Sequence, residues 1–223
     1  VRLAGAALTD TAPAMILWCD GGHGARENMR RDEALLAAAG AGAAAVLRLF
    51  RFDPPGITLG RAQDPARELD LDRCRAAGVE WAVRPTGGRA ILHDEEWTYS
   101  LAAGLADPDW GGGLERAYAA VSRLLAASLT RLGVPARLAR GAVRGGLEPR
   151  SAGGAAPPCF ASTARHEIVL DGRKLVGSAQ RRTGRALLQQ GSVLLGPGHL
   201  RLADFLAAPP GTRERVREEL DRA

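Results

Sequence analysis

The chain has 223 residues, 46% hydrophobic and 25% charged, which is ordinary globular composition with enough apolar material for a real core in one large domain or two small ones. Its three cysteines (Cys19, Cys74, Cys159) are far apart and odd in number, which argues against a disulfide framework. No CxxC or HxxxH pair offers a zinc site, and no stretch reaches the roughly 18–20 apolar residues of a membrane span. No basic-then-apolar signal opens the chain, so the expected compartment is the cytoplasm. The formal charge of +5 comes from 30 basic and 25 acidic residues. All the basic residues but Lys174 are arginine, which marks Lys174 as a position where a compact, tunable ammonium matters or as a single leftover. Residues 137–185 hold ten basic residues against Glu148, Glu167 and Asp171, a basic face suited to an acidic partner or simply to solvent.

In chain order, residues 14–19 read as a short buried strand. Residues 25–39 read as a helix with Met29, Ala34, Leu35 and Leu36 on its apolar stripe. Residues 46–52 have strand periodicity, and after Pro54-Pro55-Gly56 a second strand covers 57–60. One helix is expected over 65–77, stopped by Gly78, then a strand over 79–84. The segment Arg84-Pro85-Thr86-Gly87-Gly88-Arg89-Ala90 follows as a glycine turn, with strands either side of His93-Asp94. Residues 114–132 form the longest amphipathic helix. Residues 141–158, rich in glycine and proline and without period, read as a long loop. Segments 167–170 and 174–180 read as a hairpin across Asp171-Gly172, 186–195 as a further strand, and two short helices close the chain around Pro209-Pro210-Gly211. The pattern lacks the regular alternation of a doubly wound fold. It fits one α/β domain of the α+β type, residues 1–223, with a mixed, mostly antiparallel sheet flanked by helices.

Three constellations carry chemistry. Paired glycines after a strand let a ligand approach the backbone, and Arg84 and Arg89 flank them as anion grips; a hairpin turn needing positive φ has the same appearance. Cys159 follows the long loop, and Lys174 lies beyond the next turn. An ammonium beside a thiol favours the thiolate, and a displacement of about two units in pKa equals roughly 2.7 kcal/mol. A buried inert thiol is the competing reading, and it is the one favoured for Cys19 and Cys74. Among the histidines, His93 ranks first as a pocket-lining residue, ahead of His166, His23 and His199.

The segments ENMRRDEALL, LRLFRFDPPGITLGRAQ, RPTGGRAILHDEEWTYSL, CFASTARHEIVLDGRKLVGSAQRR and LLQQGSVLL, in this order over about residues 27–195, resemble the lipoate/octanoate transferase and lipoate–protein ligase family. The resemblance implies a single α/β domain shared with biotin ligases and no accessory C-terminal domain. It implies an acyl cleft lined by the loop of Arg84, Thr86, Gly87, Gly88, Arg89 and Ala90, by His93, and by the backbone of Gly177-Ser178-Ala179. Cys159 and Lys174 map onto the acyl-accepting cysteine and the lysine of cysteine octanoyltransferases. The implied reaction takes octanoyl from acyl carrier protein through a Cys159 thioester to a lysine of a lipoyl-domain protein (glycine cleavage H protein or a dehydrogenase E2), with no cofactor and no metal. The runner-up is an ATP- and Mg2+-dependent lipoate–protein ligase, in which Arg84, Gly87, Gly88 and Lys174 hold phosphate and carboxylate. A non-catalytic basic binding module ranks last, because aromatics are only 4% and no basic-aromatic interleaving appears. Neither nucleic acid nor membrane is expected as a partner.

Overall fold

A computed structural model describes residues 15–139 and 167–222. Cys159, His166 and the 141–158 segment lie outside the described residues. The elements in order are β1 (Ile16–His23), α1 (Ala25–Gly40), β2 (Val46–Phe52), β3 (Gly56–Leu59), α2 (Pro65–Glu68), α3 (Leu71–Ala76), β4 (Glu80–Val83), β5 (Ile91–His93), β6 (Glu96–Gly104), α4 (Leu114–Arg131), β7 (Arg137–Leu138), β8 (Ile168–Leu170), β9 (Arg173–Arg182), β10 (Ala186–Leu194), a 3-10 segment (Pro197–Phe205) and α5 (Pro210–Arg222).

Two sheets organise them. The larger runs β1-β2-β6-β10-β9-β8-β7 and is antiparallel except for β1 against β2. The smaller runs β4-β3-β5, with β3 parallel to β4 and antiparallel to β5. The result is the single α/β domain with mixed strands that the sequence implied. Strand alternation sends Leu187 to one face of the large sheet, among Tyr99, Leu101 and Val121 of α4. Leu188 points to the other face, against Leu36 and Ala39 of α1. Both faces are covered, so β10 reads as a nearly continuous apolar run at its start. The small sheet packs Ile57, Leu59 and Leu92 against Leu202 and Phe205 of the 3-10 segment and Val216 and Leu220 of α5. Helix α1 contacts both sheets and closes the gap between them with Met29, beside Phe50, Phe52 and Ala82.

Several sequence readings change. β1 is an edge strand rather than a buried one: Ile16 and Leu17 are 46% and 59% exposed, and Cys19 is exposed rather than packed. The single helix expected over 65–77 is two, because the Asp70 side chain caps the start of α3 by accepting from Arg73 N, while Leu69 turns away to pair with Leu206. On α1 Ala34 is exposed, and the buried face carries Asn28 and Asp32 instead. Cys74 is buried as expected, and desolvation, with a smaller push from Asp70, raises its thiol pKa. The Asp171-Gly172 hairpin is borne out: β8 pairs with β9, and both turn residues have positive φ, 50° and 81°, the pattern of a type I′ turn.

Candidate active site

The glycine turn after β4 is held from within. Arg84 is 4% exposed, and its guanidinium donates to Gly87 O (3.0 and 2.8 Å), Arg89 O (2.7 Å), Thr58 O (3.1 Å) and Thr58 Oγ1 (3.2 Å). These bonds direct Arg84 at backbone carbonyls: it clamps the loop, where the sequence suggested an anion grip. The loop is also tied to the end of β3 through Arg61 N to Thr86 O (3.0 Å) and Arg84 N to Leu59 O (2.8 Å). Gly88, at φ 91°, passes so close to Gly60 that a Cβ there would lie 1.9 Å from Gly88 O.

Beneath the loop lies a buried polar network. Thr86 Oγ1 donates to Gln190 Oε1 (2.8 Å), and the Gln190 amide donates to Asp32. Asp32 also accepts from Ser100 (2.7 Å) and from Arg48 (2.7 Å), and both Asp32 and Arg48 are fully buried. Arg48 donates further to Asp20 (2.7 Å) and to Asn28 Oδ1 (2.6 Å) and stacks 3.7 Å over Phe50. Burial pushes the Asp32 carboxyl up, while Arg48, Ser100 and Gln190 pull it back. A buried pair satisfied on this many sides fixes one arrangement of α1, β2, β6 and β10, and through Thr86 it fixes the loop.

A cavity sits between this loop and the middle of β9 and β10. Met29, Phe52 and Ile91 give it apolar walls, and Gly177, Ser178 and Ala179 form the β9 side. Gly191, across from Ser178 in the register, must lack a side chain: a Cβ would meet Tyr99 at 2.5 Å and Gly177 O at 2.6 Å. Tyr99 holds Ser178 Oγ at 2.7 Å and accepts from Gln189 at 3.0 Å, and burial pushes its phenol up to about 12. The polar wall centres on His93, stacked on Phe52 at 3.9 Å. His93 Nδ1 lies 2.7 Å from Glu96 Oε1 and Nε2 2.7 Å from Thr58 Oγ1. A carboxylate only accepts, so Nδ1 carries a proton toward Glu96.

The cavity thus unites Arg84, Thr86, His93, Gly177, Ser178 and Ala179. The other nominated residues lie elsewhere. Gly87 and Gly88 are exposed on the outer side of the turn, and Arg89 and Ala90 border a separate cleft with Leu202 and Leu206. Lys174, 5% exposed, sits at the start of β9 with Nζ 2.6 Å from Glu167 Oε1, and it lines a third hollow with Leu194, Gly196 and His199. Burial lowers the pKa of His199. Cys159 lies outside the described residues. Among those residues no group of three or more His, Cys, Asp or Glu could hold a metal ion, and no helix is long and apolar enough to cross a membrane.

Sequence reasoning missed Asn28, Asp32, Arg48, Thr58, Glu96, Gln190 and Ser192. Polar residues at the core-facing spacing of α1 (Asn28, Asp32 with Met29, Leu36) were the available signal.

The family model for the lipoyl protein ligase A/B catalytic domain matches residues 24–222. Octanoyltransferase LipM of Kyrpidia tusciae is 38% identical over 196 residues, 87% of this chain and 70% of that protein. Octanoyltransferase LipM of Moorella thermoacetica is 39% identical over 194 residues, 86% of this chain and 68% of that protein. In fold, the chain is similar to a bipartite lipoate protein ligase of Thermoplasma acidophilum, with a TM-score of 0.70 at 20% identity, covering 93% of this chain and 72% of the other.

Proposed function

Because the chain belongs to the lipoyl protein ligase A/B catalytic-domain family, we propose that it is an octanoyltransferase of protein lipoylation, working through a thioester on Cys159. The observation that carries the reading is the cavity between the Arg84–Thr86 loop and Gly177-Ser178-Ala179, apolar along Met29, Phe52 and Ile91 and polar toward His93, in a chain 38–39% identical to octanoyltransferases. A medium acyl chain suits that lining: its methylenes leave water against the apolar walls, at about 0.8 kcal/mol for each one buried.

The chemistry runs in two halves. The Cys159 thiolate attacks the carbonyl of an octanoyl thioester on acyl carrier protein. The bond to the carrier sulfur breaks, and the carrier thiol leaves with the proton. The neutral amine of a lipoyl-domain lysine, on glycine cleavage H protein or a dehydrogenase E2, then attacks the enzyme thioester. The new C–N bond forms, the C–S bond to Cys159 breaks, and the amine proton passes to the sulfur. Both donors are already activated as thioesters, so no ATP is consumed. In this reading Lys174, whose Nζ lies 2.6 Å from Glu167 Oε1, is the ammonium assigned to favour the Cys159 thiolate.

The test is incubation of octanoyl carrier protein with apo lipoyl domain, without ATP. Wild type is expected to yield octanoylated acceptor, with an acyl adduct on Cys159 in the mass spectrum, and Cys159→Ala neither. Full transfer by Cys159→Ala, or loading of free lipoate that requires ATP and Mg2+, would overturn the reading and favour the ligase.

A further inference from the structure

Strand β10 lends Gln190, Gly191 and Ser192 to the acyl cavity. Leu188, the preceding residue on the face of Gln190, is 0% exposed and packs against Leu36 and Ala39 of α1. The cavity therefore ends at the level of Gln190, which faces Ala179 across the β9–β10 register, while Ser192 faces Gly177. Lys174, the ammonium assigned to the thiolate, precedes Gly177 on β9. The Gly177 end thus receives the acyl carbonyl and the Gln190 end receives the tail.

Two walls close the tail end. One is polar and rigid: Gln190 bonds to Thr86 and Asp32, and Asp32 pairs with the fully buried Arg48. The other is Met29, 5% exposed, whose Sδ lies 3.6 Å from Gln190 Nε2. Met29 clusters with Phe50, Phe52, Ala25 and Ala82, and the alanines carry no atoms beyond Cβ that could fill a space left beside them. Asn28 and Asp32, on either side of Met29 in α1, are both bonded to Arg48, so the helix is held in place whatever stands at position 29. The other large apolar wall, Phe52, stacks on His93, whose Nδ1 is 3.3 Å from Ser192 Oγ, at the carbonyl end.

We infer that Met29 sets the length of acyl chain that the cavity accepts. The inference rests on the octanoyltransferase reading and adds to it the side chain against which the tail stops. An unbranched thioether is the apolar wall at that end that can be shortened or enlarged without touching the buried ionic network. Shortening it to Cβ removes three heavy atoms and leaves room for about two more methylenes of substrate.

The test uses hexanoyl, octanoyl, decanoyl and dodecanoyl acyl carrier protein as competing donors, with the adduct on Cys159 read by mass spectrometry. Each added buried methylene is worth about fourfold in binding, so the decanoyl-to-octanoyl ratio of kcat/KM is expected to rise about tenfold in Met29→Ala. Met29→Phe fills the same end, and its octanoyl-to-hexanoyl ratio is expected to fall about tenfold; it carries the test if Met29→Ala fails to fold. A ratio taken within one protein cancels any loss of folded enzyme. Leu36→Ala, also buried on α1 but outside the cavity, is expected to lose stability and keep the wild-type ratios. Ratios within twofold of wild type in the Met29 variants, or an equal shift in Leu36→Ala, overturn the inference. If wild type forms no thioester with any donor, the octanoyltransferase reading fails instead. The rise in Tm with free hexanoate, octanoate and decanoate then reads the cavity by itself, with the optimum expected to move from octanoate in wild type to decanoate in Met29→Ala.

Discussion

Gly60 offers the sharpest perturbation of the loop. Its added Cβ in Gly60→Ala would lie 1.9 Å from Gly88 O, 2.8 Å from that carbonyl carbon and 3.2 Å from the Gly87 carbonyl carbon. An ordinary carbon–oxygen contact is about 3.3 Å, so the turn must recoil by roughly 1.4 Å, and the obstacle is backbone rather than a side chain that swings aside. A shift of that size stretches the bonds from Arg84 to Gly87 O and Arg89 O, now 2.7–3.0 Å, and breaks at least one of them. Overpacking costs about 1–3 kcal/mol, and one lost bond from a buried guanidinium about 1.5–3 kcal/mol, so the variant should lose about 3–5 kcal/mol. For a domain of this size that lowers Tm by roughly 10 °C. Displacing Thr86 and Arg84 by an ångström or more should slow octanoyl transfer about 100-fold. Thermal denaturation and the ATP-free transfer assay measure the two effects. A Gly60→Ala enzyme melting within about 2 °C of wild type and transferring at the same rate would show that the loop is not held by this contact.

Two further variants probe the interior. Gln190→Leu removes the donor to Asp32 Oδ2 and the acceptor of the Thr86 hydroxyl at once, while Asp32 Oδ1 keeps Arg48 and Ser100; the expected loss is about 2–4 kcal/mol in urea denaturation, and an unshifted midpoint would show the network idle. Tyr99, raised to about 12 in the folded protein, penalises folding once the unfolded phenol ionises. Stability is therefore full below pH ~10 and falls by about 2–3 kcal/mol as pH rises to ~12, a slope that Tyr99→Phe should lack; the same slope in both proteins would contradict the assignment.

What the sequence made legible was local. The stretch of β2 and the Asp171-Gly172 turn carry their own signals, strand periodicity in one and two positive-φ residues in the other. What it hid was long-range. Arg48 looks like the polar half of an alternating strand, yet it is fully buried because Asp32, 16 residues back, meets it from α1. Gln190 reads as an interruption of an apolar run, and its reason lies 158 residues away at Asp32 and 104 away at Thr86. Arg84 shows the converse: its type was noticed and its partners were not, since bonds to carbonyl oxygens leave no trace in residue identity. The break between α2 and α3 was readable, because Asp70 three residues before Arg73 is a local cap.

The central pair of the large sheet, β6 with β10, brings together residues such as Tyr99 and Gln189 that are 90 apart in the chain. On the ribosome, β6 therefore waits for about 90 further residues before gaining one of its two neighbours. Through that interval the nascent half displays an apolar strand with one edge unsatisfied, and this favours slow closure and the help of holding chaperones during synthesis.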